Sequence, residues 1–187
     1  MTRRTYTTIA AMLATGVLAG CASHLPQASG DARPLVAPST AGADKSVSQI
    51  VRGAFGLRDM TMNCVVTLQD GAMTVVGLSA LGLRVFTIRY DGATTTVDNS
   101  LPVPPQLTPE RLLADLQLVY WPLHALAPPL TSAGWQLSEP APGTRRLRRD
   151  DRIVAEVHYS NDDPWNGRSW LVNLEHGYTL NIESKSL

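Results

Sequence analysis

Cysteine is almost missing from this chain. Two in 187 residues are too few for the disulfide framework that stabilises many small exported domains. Charge of one sign is missing too: 16 basic and 16 acidic residues cancel. A general nucleic-acid binder needs a basic surface, so that class is excluded. The spacings of metal chemistry are absent, with no His-x-His, His-x-x-x-His or Cys-x-x-Cys, and His124, His158 and His176 are scattered. Ser79 lies in Gly77-Leu-Ser79-Ala-Leu-Gly82. Its second glycine comes one residue late for a nucleophile elbow, and strand-like sequence lies on both sides. No acid–base or nucleophile set converges, so the expectation is a non-enzyme with no metal and no cofactor. The 44% hydrophobic content nevertheless excludes a wholly disordered chain.

The beginning of the chain is the most explicit part. Arg3 and Arg4 precede an apolar run from Ile9 to Leu18, shorter than the roughly 20 residues a membrane-spanning helix needs and typical of a secretory signal. Leu18-Ala19-Gly20-Cys21 follows and resembles the lipobox of bacterial lipoproteins. That resemblance implies cleavage before Cys21 and acylation of its thiol and new amino group. Several acyl chains together anchor a protein durably, where one is marginal. The second mature residue is Ala22 rather than aspartate, which in lipoproteins of enteric type implies the periplasmic face of the outer membrane. Without Arg3 and Arg4, 14 of the 16 basic residues remain against 16 acidic ones. Residues 22–46 are rich in Ala, Ser, Pro and Gly, the composition of a flexible tether. The expected organisation is a signal over 1–20, a lipidated Cys21 with its tether over 21–46, and a folded domain over 47–187.

Within that domain, residues 62–68 and 72–78 flank Gln69-Asp70-Gly71, a hairpin signal. Residues 83–90 and 93–97 extend the meander, and 135–137, 144–148, 152–159, 170–174 and 178–182 supply further short strands. Alternation in the last three implies one dry and one wet face. One helix interrupts them: Thr108 suits the N-cap, Pro109 the first turn, and Leu107 and Leu112 a hydrophobic staple. Leu112, Leu113, Leu116 and Tyr120 recur at helical spacing until Pro122. The expected fold class is α+β, mainly antiparallel: an unclosed half-barrel covered by one or more helices.

The run from Gly77 through Arg84, Phe86 and Arg89-Tyr90-Asp91-Gly92, then Leu101-Pro102 and the stretch Leu112 to Pro122, resembles a family of bacterial outer-membrane lipoproteins often encoded near aryl-polyene and fatty-acid-type gene clusters. That family is similar to the LolA/LolB carriers and receptors of lipoproteins. The resemblance implies a half-barrel whose apolar side holds an acyl or polyene-like chain, with the outer membrane and an envelope protein as further partners. LolB-type receptors also expose a loop with an apolar tip to the membrane, for which residues 123–130 are the candidate.

The cavity-lining set expected from these patterns is Phe86, Ile88, Tyr90, Leu112, Leu116, Trp121, Trp170, Val172, Leu174 and Leu180. An ordinary core accounts for the same residues equally well. Cys64 is expected in the core. Arg145, Arg146, Arg148 and Arg149 read as a solvated hairpin tip paired with Asp150 and Asp151, or as a contact for anionic headgroups or a protein partner. Asp162 to Gly167 reads as a turn that exposes Trp165 to a membrane interface. These last two features support an alternative function, a structural accessory of an envelope complex. Replacing Cys21→Ser is expected to abolish incorporation of labelled palmitate and to release the protein from the membrane fraction; persistent membrane association would overturn the lipid anchor.

Overall fold

Ten strands form one antiparallel sheet in the computed structural model of the chain, which describes residues 32–101 and 106–187. The expected signal, Cys21 and the first part of the tether lie outside the described residues. Strands β1 (Lys45–Phe55), β2 (Arg58–Gln69), β3 (Ala72–Leu78), β4 (Arg84–Tyr90) and β5 (Thr95–Asn99) run outward from the middle to one edge. The chain then crosses through helices α1 (Pro109–Tyr120) and α2 (Leu123–Ser132). It returns from the other edge through β6 (Trp135–Ala141), β7 (Thr144–Arg149), β8 (Arg152–Tyr159), β9 (Arg168–Asn173) and β10 (Tyr178–Ser186). β10 pairs with β1, and the edges β5 and β6 do not pair with each other. The expected unclosed antiparallel architecture is therefore observed, with two helices rather than one.

Local chemistry explains most of the meander. Asp70 and Gly71 both have positive φ, 52° and 72°, and Gln69 faces Ala72 across them. This is the mirror-image two-residue turn whose twist matches antiparallel strands. The central strand β1 is the one the sequence pattern hid. Its inward positions are Val47, Gln49, Val51, Gly53 and Phe55, so an amide and a glycine interrupt the apolar alternation. Gly53 has a steric reason: a Cβ there would stand 2.5 Å from the Phe55 ring.

Helix α1 starts as its sequence dictates, with the Thr108 hydroxyl accepting from the Arg111 N–H at 3.3 Å. Eight consecutive residues, Leu113 to Tyr120, are buried. An amphipathic helix buries one stripe, so burial of every face means that α1 is covered on all sides. The sheet covers one side. Residues 33–41 cover another, and their docking shortens the tether expected to reach residue 46. Gln117 receives the Val36 N–H at 2.9 Å and donates to the Val36 carbonyl at 2.8 Å. Trp121 Nε1 donates to the Thr40 hydroxyl at 3.0 Å.

Helix α2 replaces the exposed loop expected over 123–130. Pro128 and Pro129 read as helix breakers, since each removes an N–H and disfavours the preceding helical turn. They are accommodated near the end of a short helix whose anchors, Leu126 and Leu130, are buried at i and i+4 while His124 and Pro128 face solvent. The freed carbonyl of His124 can thus be hydrated. Replacing Gln117→Leu leaves the Val36 N–H and carbonyl buried and unpaired. Denaturant melts should show a loss of about 1–3 kcal/mol, and limited proteolysis should cut before Lys45 while the sheet stays intact.

Candidate functional site

Between α1 and the covered face of the sheet lies an apolar hollow of about 50 Å³. Its floor is built from strand residues that alternate inward: Gln49 and Val51 of β1, Met60, Met62 and Cys64 of β2, Val75 of β3 and Phe86 of β4. Leu171 of β9 and Leu180 and Ile182 of β10 complete it. The roof is Leu107, Leu112, Asp115 and Leu116. The staple residues Leu107 and Leu112 thus do two things, fixing the entry to α1 and closing the hollow. Gly77 keeps the floor flat: a Cβ there would stand 2.6 Å from the Phe86 ring and 2.8 Å from the Met62 sulfur.

The size sets a limit. An engineered apolar cavity of about 150 Å³ accommodates benzene, so the hollow as it stands holds only a few atoms of any chain. Met60 and Met62 are unbranched and repack readily, which gives the floor room to yield.

Of the ten expected lining residues, Phe86, Leu112, Leu116 and Leu180 line the hollow. Ile88 and Tyr90 share the covered face but belong to the packed core, Tyr90 donating to the Gly92 carbonyl at 3.0 Å. Trp121 is fully buried, its ring 6.4 Å from that of Trp165, and it does not line the hollow. Trp170, Val172 and Leu174 face away from this hollow. Ser169, Leu171 and Asn173 are the buried residues of β9, so their neighbours point outward: Trp170 is 38% exposed and Leu174 54%. Alternation was read correctly along this segment. Its phase was ambiguous, because Trp170, Val172 and Leu174 are more apolar than Leu171, Asn173 and Glu175.

The polar groups of the site were not legible in advance. Asp115 sits on the buried helix, its side chain 4% exposed, paired with Arg33, whose side chain is 7% exposed. Tyr178 donates its hydroxyl to the other carboxylate oxygen, and Asn173 donates to Tyr178 Oη at 2.9 Å. Burial and the Asp115 charge both push the Tyr178 phenol upward, so it remains a donor. Nearby His176 is held below its usual value, first by burial and then by the Arg111 charge. Burial pushes the Cys64 thiol up to about 12, as expected of a core thiol. The amide Nε2 of Gln49 is buried with no hydrogen-bond partner among the described residues.

Of the arginine cluster, Arg145 alone is buried, while Arg146, Arg148 and Arg149 are half-buried and Arg148 donates to the Asp151 carbonyl. Arg145 is buried and donates to the carbonyls of Leu118 and Trp121, both at 2.8 Å, and to Glu139. It thereby satisfies carbonyls at the end of α1 that the helix leaves unpaired. Arg146 pairs with Glu156 at 2.6 Å, and Arg149 lies over the Trp135 ring. Trp165 is buried as well, stacked on Tyr120 with centroids 4.3 Å apart; the Asx turn in which Asp163 accepts its N–H aims it inward. Ser79 holds a turn by accepting from the Leu83 N–H. Among the described residues no group of three or more His, Cys, Asp or Glu side chains is placed to hold a metal ion.

The exposed apolar tip lies elsewhere. Leu57, between β1 and β2, is fully exposed, and Leu81, Leu83 and Leu174 are exposed in turns at the same end of the sheet. The end follows from the strand alternation, since Phe55 faces Tyr178 and β3 ends beside the start of β4.

No curated protein matches the chain. Crystal structures similar to it include the following two. One, a LolA superfamily protein from Nitrosomonas europaea, shows 10% identity over 76% of this chain and 84% of that one, with a TM-score of 0.43. The other, a DUF1329 family protein from Desulfovibrio piger, shows 10% identity over 79% and 87%, with a TM-score of 0.35. The model of one family, described as "Protein of unknown function (DUF3261)", matches residues 46–186, and the chain belongs to that family.

Proposed function

We propose that the protein is a non-catalytic lipoprotein, anchored through Cys21 to the periplasmic face of the outer membrane, that binds an acyl or polyene-like chain and aids its transfer or insertion. The observation that carries this reading is the apolar hollow between α1 and the inward faces of β1, β2 and β10. The narrow hollow is a resting state, and a chain enters by displacing α1 and repacking Met60 and Met62. An enclosed apolar wall gains from burying methylenes at about 0.8 kcal/mol each, which offsets the contacts broken on opening. The exposed leucines at one end of the sheet form the rim that meets the bilayer. The accessory reading loses part of its motivation, because Arg145 of the arginine cluster and Trp165 are internal.

The direct test is lipid extraction of the purified full chain followed by mass spectrometry, together with titration by a fluorescent fatty-acyl probe. Saturable binding and a co-extracted chain are expected; neither appearing would refute the reading.

Cys64 reports on opening. With its thiol at about 12, only about one molecule in 10⁴ carries a thiolate at pH 8 in the closed state. Maleimide labelling then proceeds through opened molecules, and acyl probe at about 100 times its Kd should slow it about 100-fold. Labelling that ignores the probe would place the ligand outside the hollow.

Delivery should depend on the rim. Leu57→Glu is expected to slow transfer of bound probe to vesicles about tenfold while leaving probe affinity unchanged. Unchanged delivery would remove Leu57 from the membrane contact.

A further inference from the structure

Gln49 is the least explained residue of the interior. It occupies the middle of the central strand, 1% exposed, and lines the hollow. Leaving an amide donor buried and unpaired costs about 1–3 kcal/mol, and β1 carries that cost where Val or Leu would complete the alternation. Its lateral neighbours do not relieve it. Ser184, opposite it on β10, is engaged with Tyr120 at 2.7 Å, and Cys64, opposite it on β2, offers only a thiol. Water is a poor occupant, because a buried water wants two to four polar partners. The other polar group of the lining is Asp115, whose carboxylate already accepts from Arg33 and Tyr178.

The charge of the wall adds a second restriction. Asp115 is the one charged residue lining the hollow. Arg33 neutralises it, so the wall offers an entering ionised carboxylate no free cation to replace its lost water. A neutral acceptor meets only the Gln49 donor.

We infer that Gln49 is a specificity residue that donates through Nε2 to the carbonyl oxygen of an ester- or amide-linked acyl group, so that the ligand is a neutral, carbonyl-bearing chain rather than a free fatty acid or a plain hydrocarbon. This rests on the binding function proposed above and fixes the chemistry of its ligand. The carbonyl end seats at β1, and the chain follows the apolar path past Met62 and Phe86. No covalent step is involved.

Three pyrene-tailed probes of equal length separate the possibilities: an alkyl ester, an alkane and a free acid, each titrated into the purified full chain carrying Cys21→Ser. The ester is expected to bind about tenfold more tightly than the alkane, and the acid more weakly than the ester at pH 8. Gln49→Leu should bring the ester-to-alkane ratio to about one while retaining the alkane. In the unsubstituted Gln49 chain, a carbon-13 ester carbonyl should show the infrared shift of an accepted hydrogen bond, a readout independent of whether the variant folds. Equal binding of ester and alkane, an unshifted carbonyl, or preference for the acid would overturn the role of Gln49 and leave the hollow as a binding site. Failure of all three probes to bind would refute the binding function itself.

Discussion

A helix buried on every side has to be positioned from every side, and the rest of this fold depends on how that is done for α1. Propensity alone would not hold twelve residues in place. Beneath it, Asp115 meets Tyr178 of β10, and Tyr120 meets Ser184 of the same strand. Above it, Gln117 binds both backbone groups of Val36. At its C-terminal end, Arg145 of β7 holds the carbonyls of Leu118 and Trp121. Removing the charge of one partner from a buried pair such as Arg33 and Asp115 strands the other, which is far worse than never having had the pair. The polar contacts therefore fix the register of α1 on the sheet more strictly than leucines alone could.

That register creates the hollow. With α1 pinned at Asp115 and Tyr120, Leu112 and Leu116 hang over Met62 and Phe86 without filling the space between them. Gly77 contributes by leaving Phe86 flat against the floor. The result is a buried core with a small apolar gap beside an unpaired amide. Apolar packing accounts for the gap's walls. It gives no reason for Gln49, and natural sequences depart from local rules mainly where function intervenes.

Much of the meander was legible because its signals are local. Asp70-Gly71 sets a hairpin, Thr108-Pro109 starts a helix, and residues 155–159 alternate beyond a bulge at Val154. The central strand was not, because Gln49 and Gly53 occupy inward positions and break the period of two. The phase of β9 was lost for a related reason: apolar Trp170 and Leu174 face outward while polar Asn173 faces inward to reach Tyr178. Helix α2 was hidden by two prolines whose cost falls on solvated carbonyls. Arg145 looks like a surface residue by type and Trp165 by its polar turn, yet Arg145 is internal to satisfy the end of α1 and Trp165 to stack on Tyr120. Pairings between residues 33–41 and α1, or between α1 and β10, span about eighty and sixty positions. Local periodicity carries no information about such distances.

The topology bears on how the hollow could enlarge. In a closed barrel, expansion means breaking ladder hydrogen bonds between strands. Here β5 and β6 are not joined, and the chain passes between these edges through α1 and α2. The free edges are themselves guarded: β5 is only five residues long, and β6 carries Glu139 and Pro140, devices that discourage pairing with another chain. The two halves of the sheet meet only at β1 and β10. Twisting about that seam and lifting α1 can widen the interior while each ladder stays intact. What resists is the set of contacts on α1, and these are hydrogen bonds and side-chain packing rather than backbone ladders. Under the binding function proposed above, entry is governed by the helix and by residues 33–41 that strap it down.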